Sequence, residues 1–384
     1  MQLKAFFSAV INRRFQILAG IAVLFGILMR IVLFCQNRNL IIDEANVVRN
    51  IYERGFLGLL KPLSYEQYAP PLYLWALELS SFFFGYSEMA MRLVALLTGI
   101  ASLFVFWWLL RRIMHDRAVW LPLGLLCFAP ILIKYSAEVK QYGPDVFVAI
   151  GLVCLALTHD LFTMPLRKFV VSWMLYGSIA VWASQPSVFI LASIGFYYFA
   201  QCAQQKKWKL VKPLVLMGLV WLAQFGVYYE LILKPQINSE YLQNYHREFF
   251  LFATPSNAEE WRHNWVRLRE ILNNTAGFSQ LSLQLCIVFI LIGSIALLRK
   301  SLSQFVLLCA PVLLVLLAAA LNQFSLIERV VLFILPFTML LAGLGFAELM
   351  RIPLRVVQLT FVCFGFFMLW NYNYRSLFYE KLNF

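Results

Sequence analysis

A chain of 384 residues with 62% apolar and only 13% charged side chains carries far more hydrophobic surface than a water-soluble core can hide, so most of it is meant for lipid. The formal charge of +13 calls for no nucleic-acid partner, because the basic residues gather in short loops between apolar runs. The seven cysteines (Cys35, Cys127, Cys154, Cys202, Cys286, Cys309, Cys363) lie within or at the edges of those runs, lack metal-like spacing, and read as small core residues.

Eleven apolar runs have roughly the length a helix needs to cross a bilayer: 15–36, 89–110, 118–135, 144–160, 169–184, 186–203, 210–231, 279–298, 302–321, 330–350 and 354–371. The first has no small-residue cleavage pattern behind it, so it reads as a span and not a signal peptide. A cytoplasmic N-terminus puts Lys4, Arg13, Arg14, Arg111, Arg112, Arg117, Arg167, Lys168, Lys206, Lys207, Lys209, Lys212, Arg299, Lys300, Arg351 and Arg355 on the inner side. These 16 basic residues face two acids there, Asp116 and Asp160, which is the bias that sets orientation. The predicted fold class is an all-α polytopic membrane protein. Its parts are a transmembrane core with the first outer loop (1–231, loop 36–88), a second large outer loop (232–278) and C-terminal transmembrane helices (279–384).

Asp43 and Glu44 follow the first run and fall on the outer side, periplasmic or lumenal. Two carboxylates at the mouth of a span are costly unless they stay wet and have a task. The bland alternative for Asp43 is a helix cap, since a helix is predicted from Glu44 to Arg54 with Gly55 as its stop. Pro70-Pro71 then opens a second short helix whose Leu72, Trp75, Ala76, Leu79 and Phe83 form one stripe, closed by Gly85. With Glu78 in its middle it is too short and too interrupted to span, and reads as a helix lying in the membrane interface. The alternative is one long kinked span over 70–110.

The second outer loop brings Pro235 and a polar stretch with Tyr241, Tyr245, His246, Arg247 and Glu248. Ser256-Asn257-Ala258-Glu259 reads as a capping box for another interfacial helix carrying Trp261, Trp265, Leu268 and Leu272 on one face, a cover for the first loop. Two shorter outer turns carry charge: Tyr135 to Tyr142 with Glu138 and Lys140, followed by Asp145, and Ser325 to Arg329. Arg92 begins the second span from the same side. Arg92 and Arg329 also have a simpler reading as side chains that snorkel to head groups.

Asp43-Glu44, Tyr68-Ala69-Pro70-Pro71-Leu72-Tyr73, Ser87-Glu88-Met89-Ala90-Met91-Arg92-Leu93, Tyr135-Ser136-Ala137-Glu138-Val139-Lys140-Gln141-Tyr142 and Glu328-Arg329-Val330 come in the order seen in GT-C glycosyltransferases. The chain resembles the branch holding protein O-mannosyltransferases and the aminoarabinose transferase of lipid A, over residues 10–350. Two positions depart from that pattern: Ala69 stands where a His usually precedes the Pro pair, and Lys140 where an Arg is common. The resemblance implies a transferase that moves a sugar from a polyprenyl-phosphate donor to a hydroxyl on the outer face, with Asp43 as the general base. Direct displacement with one base would invert the anomeric centre, and the charge growing on the leaving phosphate calls for cations, for which Lys140, Arg329 and Arg92 are the candidates. No cofactor is certain; a divalent ion is left open, since some GT-C enzymes use one.

Glu44 is expected to orient Asp43, to raise its pKa by like-charge repulsion, or to contact the sugar. Glu138, Tyr142, Tyr68, His246 and Arg247 are the candidate substrate or acceptor contacts, Glu138 also for a divalent ion. The short tail Asn371–Phe384 favours a lipid or glycan acceptor over a folded protein. The competing readings are a flippase for lipid-linked glycans and a non-catalytic subunit of a polysaccharide-assembly complex. Transporters place ionisable groups near the bilayer midplane, whereas these charges gather at the outer rim.

Overall fold

The computed structural model describes residues 2–114, 118–237, 240–374 and 377, with the side chains of 2–14, 236, 237, 241 and 242 left aside. Asp116, Arg117, most of the tail after Tyr374 and the side chains of Lys4, Arg13, Arg14 and Tyr241 therefore lie outside the described residues. The described chain is helical throughout its regular structure, with no β-strand among the described residues. The helices are α1 (Gln2–Cys35), α2 (Ile42–Gly58), α3 (Pro71–Phe84), α4 (Glu88–Ile113), α5 (Trp120–Phe128), α6 (Pro130–Lys134), α7 (Tyr142–Thr158), α8 (Leu166–Ala183) and α9 (Ser187–Gln204). They continue as α10 (Val211–Tyr228), α11 (Lys234–Ile237), α12 (Glu240–Arg247), α13 (Ala258–Ala276), α14 (Gln280–Lys300), α15 (Leu302–Ala320), α16 (Leu335–Leu349) and α17 (Arg355–Trp370).

Each of the eleven apolar runs is helical, and seven helical segments among the described residues are long and apolar enough to cross a bilayer: Phe15–Cys35, Glu88–Ile113, Ser187–Gln204, Trp208–Leu233, Gln280–Lys300, Leu302–Ala320 and Leu332–Leu349. The runs 118–135, 144–160, 169–184 and 354–371 fall outside that set. The first of these is not one helix. Pro130 has no N–H to donate and pushes Ala129 out of the helical region (φ −59, ψ 116), so the run divides into α5 and α6. The carbonyls of Leu126 and Cys127 just before this break are met by Arg30 of α1, at 3.4 and 2.9 Å. Arg30 is 1% exposed. It is a buried cation inside the first span, whereas the sequence reads the spans as almost free of charge.

The segment between α1 and α4 builds the platform for the site. α2 breaks at Gly55, as its sequence predicts, and Val47 and Ile51 of its inner face are fully buried with Tyr73, Leu74 and Leu77 of α3 and with Val139. Each such aliphatic side chain contributes roughly 1.5–3 kcal/mol by leaving water. α3 ends at Gly85, whose φ of 76° and ψ of 176° suit a residue without Cβ. Ser87 then caps α4 by accepting from the Ala90 N–H at 3.2 Å. The chain thus turns between two separate helices, and 70–110 is not one kinked span. The stripe of α3 divides: Trp75 packs on this platform and donates from Nε1 to the Phe56 carbonyl at 2.8 Å, while Leu79 and Phe83 are exposed with Phe82 and Phe84 beside them, an apolar surface of the kind a helix lying in the lipid interface presents.

Farther along, α14 and α16 cross so closely that a Cβ at Gly293 would strike the Leu341 carbonyl and one at Gly345 the Phe289 carbonyl, the small-residue contact that helices use in lipid. α13 begins one residue later than the Ser256 box predicts. Asn257 is the cap, accepting from the Glu260 N–H at 2.9 Å, while the Glu260 carboxylate accepts from the Ser256 N–H at 2.7 Å. α13 packs on α14, α16 and α5.

Candidate active site

Asp43 and Glu44 lie in the first turn of α2, where successive residues are about 100° apart around the axis. The helix therefore sends them to different environments. Glu44 turns inward and is fully buried. Its Oε1 accepts from Arg92 Nε at 3.1 Å and from the Val139 N–H at 2.8 Å. Its Oε2 accepts from Arg38 Nη1 at 2.7 Å, Arg92 Nη2 at 3.1 Å and the Ile41 N–H at 3.2 Å. Burial works against the charged form, but the Arg92 hydrogen bonds, the Arg38 and Arg92 charges and the Val139 N–H outweigh it and hold the carboxyl below its ordinary range.

Arg92 is 2% exposed and spends its remaining donors on the Arg38 and Asn39 carbonyls, at 2.7 and 3.4 Å. Arg38 also reaches Glu138 at 3.3 Å, and Lys134 lies 3.8 Å from the same oxygen. Three sequence expectations are corrected by this knot. Glu44 neither faces Asp43 nor is open to a sugar, because all its lone pairs are used. Arg92 is turned into the protein, away from any phosphate at the rim. Glu138 is 5% exposed and tied to cations, so it is not poised for an acceptor. Arg38, which draws the two carboxylates together, was not singled out by sequence; its position in the polar stretch between α1 and Asp43 was the available signal.

Asp43 turns outward, 37% exposed. Its Oδ2 lies 3.9 Å from Lys140 Nζ and 3.7 Å from Arg329 Nη1, so three residues nearly 300 positions apart in sequence meet here. Lys140 sits on the turn that leads into α7 and is itself nearly buried. Its Nζ donates to Gln67 Oε1 at 2.8 Å. Burial, and secondarily the Arg329 charge, lower its pKa, against the opposing pull of Asp43, Glu138 and Glu44. Gln67 follows Tyr65 and Glu66, both in the left-handed region (φ 62 and 53), a backbone cost that non-glycine residues bear where a side chain must be aimed. Ala69 is buried, and the side chain that meets Lys140 comes from two residues earlier.

Arg329 donates to the Tyr245 hydroxyl at 3.3 Å and lies over its ring at 5.9 Å. Of the remaining candidates, Tyr142 is half-buried with its ring edge on Tyr135 at 5.2 Å, and Tyr68 is half-buried against Tyr228 at 6.4 Å. His246 stacks edge-on against Tyr245 at 5.5 Å, and burial, then the Arg329 charge, lower its pKa. Arg247 is exposed, and among the described residues no ion pair ties it to the cluster. No three His, Cys, Asp or Glu side chains converge as metal ligands among the described residues, so the donor set offers no ready-made cation cage. A carboxylate facing open space with two cations at its side can take a proton from one group while the cations meet an anion from another.

No protein-family model matches the chain, and no curated sequence does. Solved structures do. ArnT from Cupriavidus metallidurans bound to undecaprenyl phosphate superposes with a TM-score of 0.56 at 16% identity, over 85% of this chain and 60% of that one. The oligosaccharyltransferase of Archaeoglobus fulgidus in complex with Zn and sulfate gives 0.52 at 12% identity, over 91% and 52%. Archaeal AglB from Archaeoglobus fulgidus, with an inhibitory peptide and a dolichol-phosphate, gives 0.50 at 12% identity, over 94% and 55%. The chain spans little more than half the length of these proteins. It shares their fold.

Proposed function

We propose that this chain is an integral membrane glycosyltransferase that moves a sugar from a polyprenyl-phosphate donor to a hydroxyl acceptor on the outer, periplasmic or lumenal, face of a cell membrane, with its N-terminus in the cytoplasm. The observation that carries the proposal is Asp43: a half-open carboxylate with Lys140 and Arg329 within 3.9 Å, beside a neighbouring carboxylate that is fully saturated. The fold shared with an ArnT bound to undecaprenyl phosphate and with an AglB in complex with a dolichol-phosphate supports the lipid class of the donor.

In the reaction, the Asp43 carboxylate accepts the proton of the acceptor hydroxyl as that oxygen attacks the anomeric carbon. The bond from the anomeric carbon to the phosphate oxygen breaks on the opposite side, so the centre inverts. Lys140 and Arg329 take up the charge that grows on the leaving polyprenyl phosphate. The acceptor is a lipid or glycan, approached at the rim where Asp43 is exposed. Glu44, Arg92, Arg38 and Glu138 fix the turn that carries Lys140 and the helix that carries Asp43, and they act by position.

The test is transfer of labelled sugar from a polyprenyl-phosphate donor in membranes. Asp43→Asn should lower it by about 10²- to 10⁴-fold with expression and melting temperature unchanged; turnover retained near the wild-type rate in that variant would sink the assignment of the base. A cytoplasmic reporter that is active when fused after residue 60 would overturn the outer-face site.

A further inference from the structure

We infer that a buried polar seam between α3, α7 and the end of α10 is the subsite that receives the transferred glycosyl group, and that it is built for a polyhydroxylated, non-acidic sugar. The inference rests on the donor reading of the Asp43 cluster and adds to it the class of sugar. Tyr68 and Tyr73 come from the start of α3 and the chain before it. Gln141 and Asp145 come from the first turn of α7, and Tyr228 from the last residue of α10. Ser184, in the turn after α8, lies beside the Asp145 carboxyl.

These groups form one connected set. Gln141 Nε2 donates to the Tyr68 carbonyl at 3.2 Å, the Tyr68 and Tyr228 rings meet edge-on at 6.4 Å, and the Tyr73 hydroxyl is within electrostatic reach of Asp145. Tyr73 and Asp145 are 4% exposed, Gln141 6% and Tyr228 0%. Yet the hydroxyls of Tyr68, Tyr73 and Tyr228, Oε1 of Gln141 and Oδ1 of Asp145 are buried without a hydrogen-bond partner in the protein.

The large majority of buried side-chain polar atoms are normally bonded, and each one left bare costs about 1–3 kcal/mol. Five bare oxygens contributed by three parts of the chain at one place indicate a missing partner rich in hydroxyls. An acyl chain or isoprenoid tail would leave all five unpaired. Three of the five can donate and all can accept, which is the complement of a sugar's alternating O–H groups. An acidic sugar is disfavoured, because the Asp145 carboxyl is itself one of the five bare acceptors and would face the sugar's carboxylate.

Position agrees with this assignment. Gln141 directly follows Lys140, so the cation proposed for the phosphate and the bare oxygens proposed for the sugar flank the same turn. The helix widens into a π-turn over Tyr229–Leu233, immediately after Tyr228. Such turns recur at functional sites.

The experiment measures binding to the purified, detergent-solubilised full chain of two probes: bare undecaprenyl phosphate, and undecaprenyl phosphate carrying glucose, mannose or arabinose. The wild type should bind at least one sugar-bearing lipid more tightly than the bare one. Tyr73→Phe, Tyr228→Phe and Asp145→Asn should each weaken that sugar-bearing lipid by roughly 3- to 10-fold, the size of one hydrogen bond, while bare-lipid binding stays within twofold and certifies the fold. Equal loss for both lipids, no loss for either, or a wild type blind to every sugar would overturn the subsite. Undecaprenyl phosphate glucuronate binding as tightly as the neutral sugars would overturn the class. A wild type that passes these tests yet transfers nothing would sink the enzyme reading and leave the subsite standing.

Discussion

Two carboxylates one residue apart have opposite surroundings, and the contrast separates what holds this site from what works in it. Glu44 accepts five hydrogen bonds from Arg92, Arg38 and two backbone N–H groups, all between 2.7 and 3.2 Å. Asp43 meets two cations at 3.7 and 3.9 Å and keeps an open side. A buried charge must be paired and bonded to be tolerated at all, and that same saturation leaves it no capacity for a substrate. A group that must exchange protons has to be left short of partners. On the proposed reading the pair is a structural anchor and a reactive group placed on adjacent positions of one helix turn.

The largest effects should split cleanly along this line. Asp43→Asn should lower transfer by about 10²- to 10⁴-fold, the usual contribution of a general base, and leave thermal unfolding where it is. Glu44→Ala strands Arg92 in the interior, and removing one partner of a buried pair costs about 3–5 kcal/mol. It should cut the melting temperature and the yield of folded protein. A Glu44→Ala protein that melts like the wild type would erase the distinction. Acid should act on Glu44 in the same sense. Its folded pKa is lowered from 4.5, so the stability it contributes is fully present above that value and is lost as pH falls further, through the folded pKa. Unfolding monitored from pH 6 downward should show the loss, and Glu44→Gln should flatten that part of the curve.

How far the sequence carries this site follows the same contrast. The helical runs, the breaks at Gly55 and Gly85 and the order Asp43, Lys140, Arg329 are legible, because apolar length, special backbone angles and short motifs are local properties. The division of 118–135 at Pro130 was available from the proline itself but was overridden by the continuous apolar pattern. What is not legible is direction. Arg92 reads as a cation near the rim, and only the packing of α4 against the 36–44 segment turns it inward. Arg30 looks like a stray charge in a span until the carbonyls of Leu126 and Cys127, almost a hundred residues away, come to meet it. Gln67 sits beside a recognised stretch, yet its contact with Lys140 depends on two left-handed residues that no composition announces.

Lys140 sharpens the comparison from the cationic side. Its pKa is lowered from 10.5 by burial and by Arg329, so its ammonium is lost earlier on the alkaline side than that of an ordinary lysine. The rate of transfer should therefore fall on a limb below pH 10.5. Lys140→Arg keeps the charge and should move that limb upward, while Lys140→Met should lower the rate at every pH. Between the folded pKa and 10.5 the unfolded chain binds more protons at this position than the folded one, so stability should rise with pH through that window. An unchanged alkaline limb in Lys140→Arg would assign the titration to another group.

The smallest effect expected is at Gln67, and it bears on how the site tolerates Ala69. Gln67 Oε1 accepts from Lys140 Nζ at 2.8 Å, which is nearer than the Asp43 carboxylate at 3.9 Å. The amide oxygen therefore fixes the ammonium without neutralising it, leaving its charge available to a phosphate. Losing one such hydrogen bond to a charged group costs about 1.5–3 kcal/mol, part of which other contacts of the ammonium recover. Gln67→Ala should reduce transfer by less than Lys140→Met does, chiefly through a weaker hold on the donor and so a higher KM. Gln67→Glu should be worse than its size suggests, because a second carboxylate would neutralise Lys140 and compete with the phosphate. If Gln67→Glu matches the wild type, the ammonium is not held for an anion, and the open half of the Asp43–Glu44 contrast loses its cationic partner.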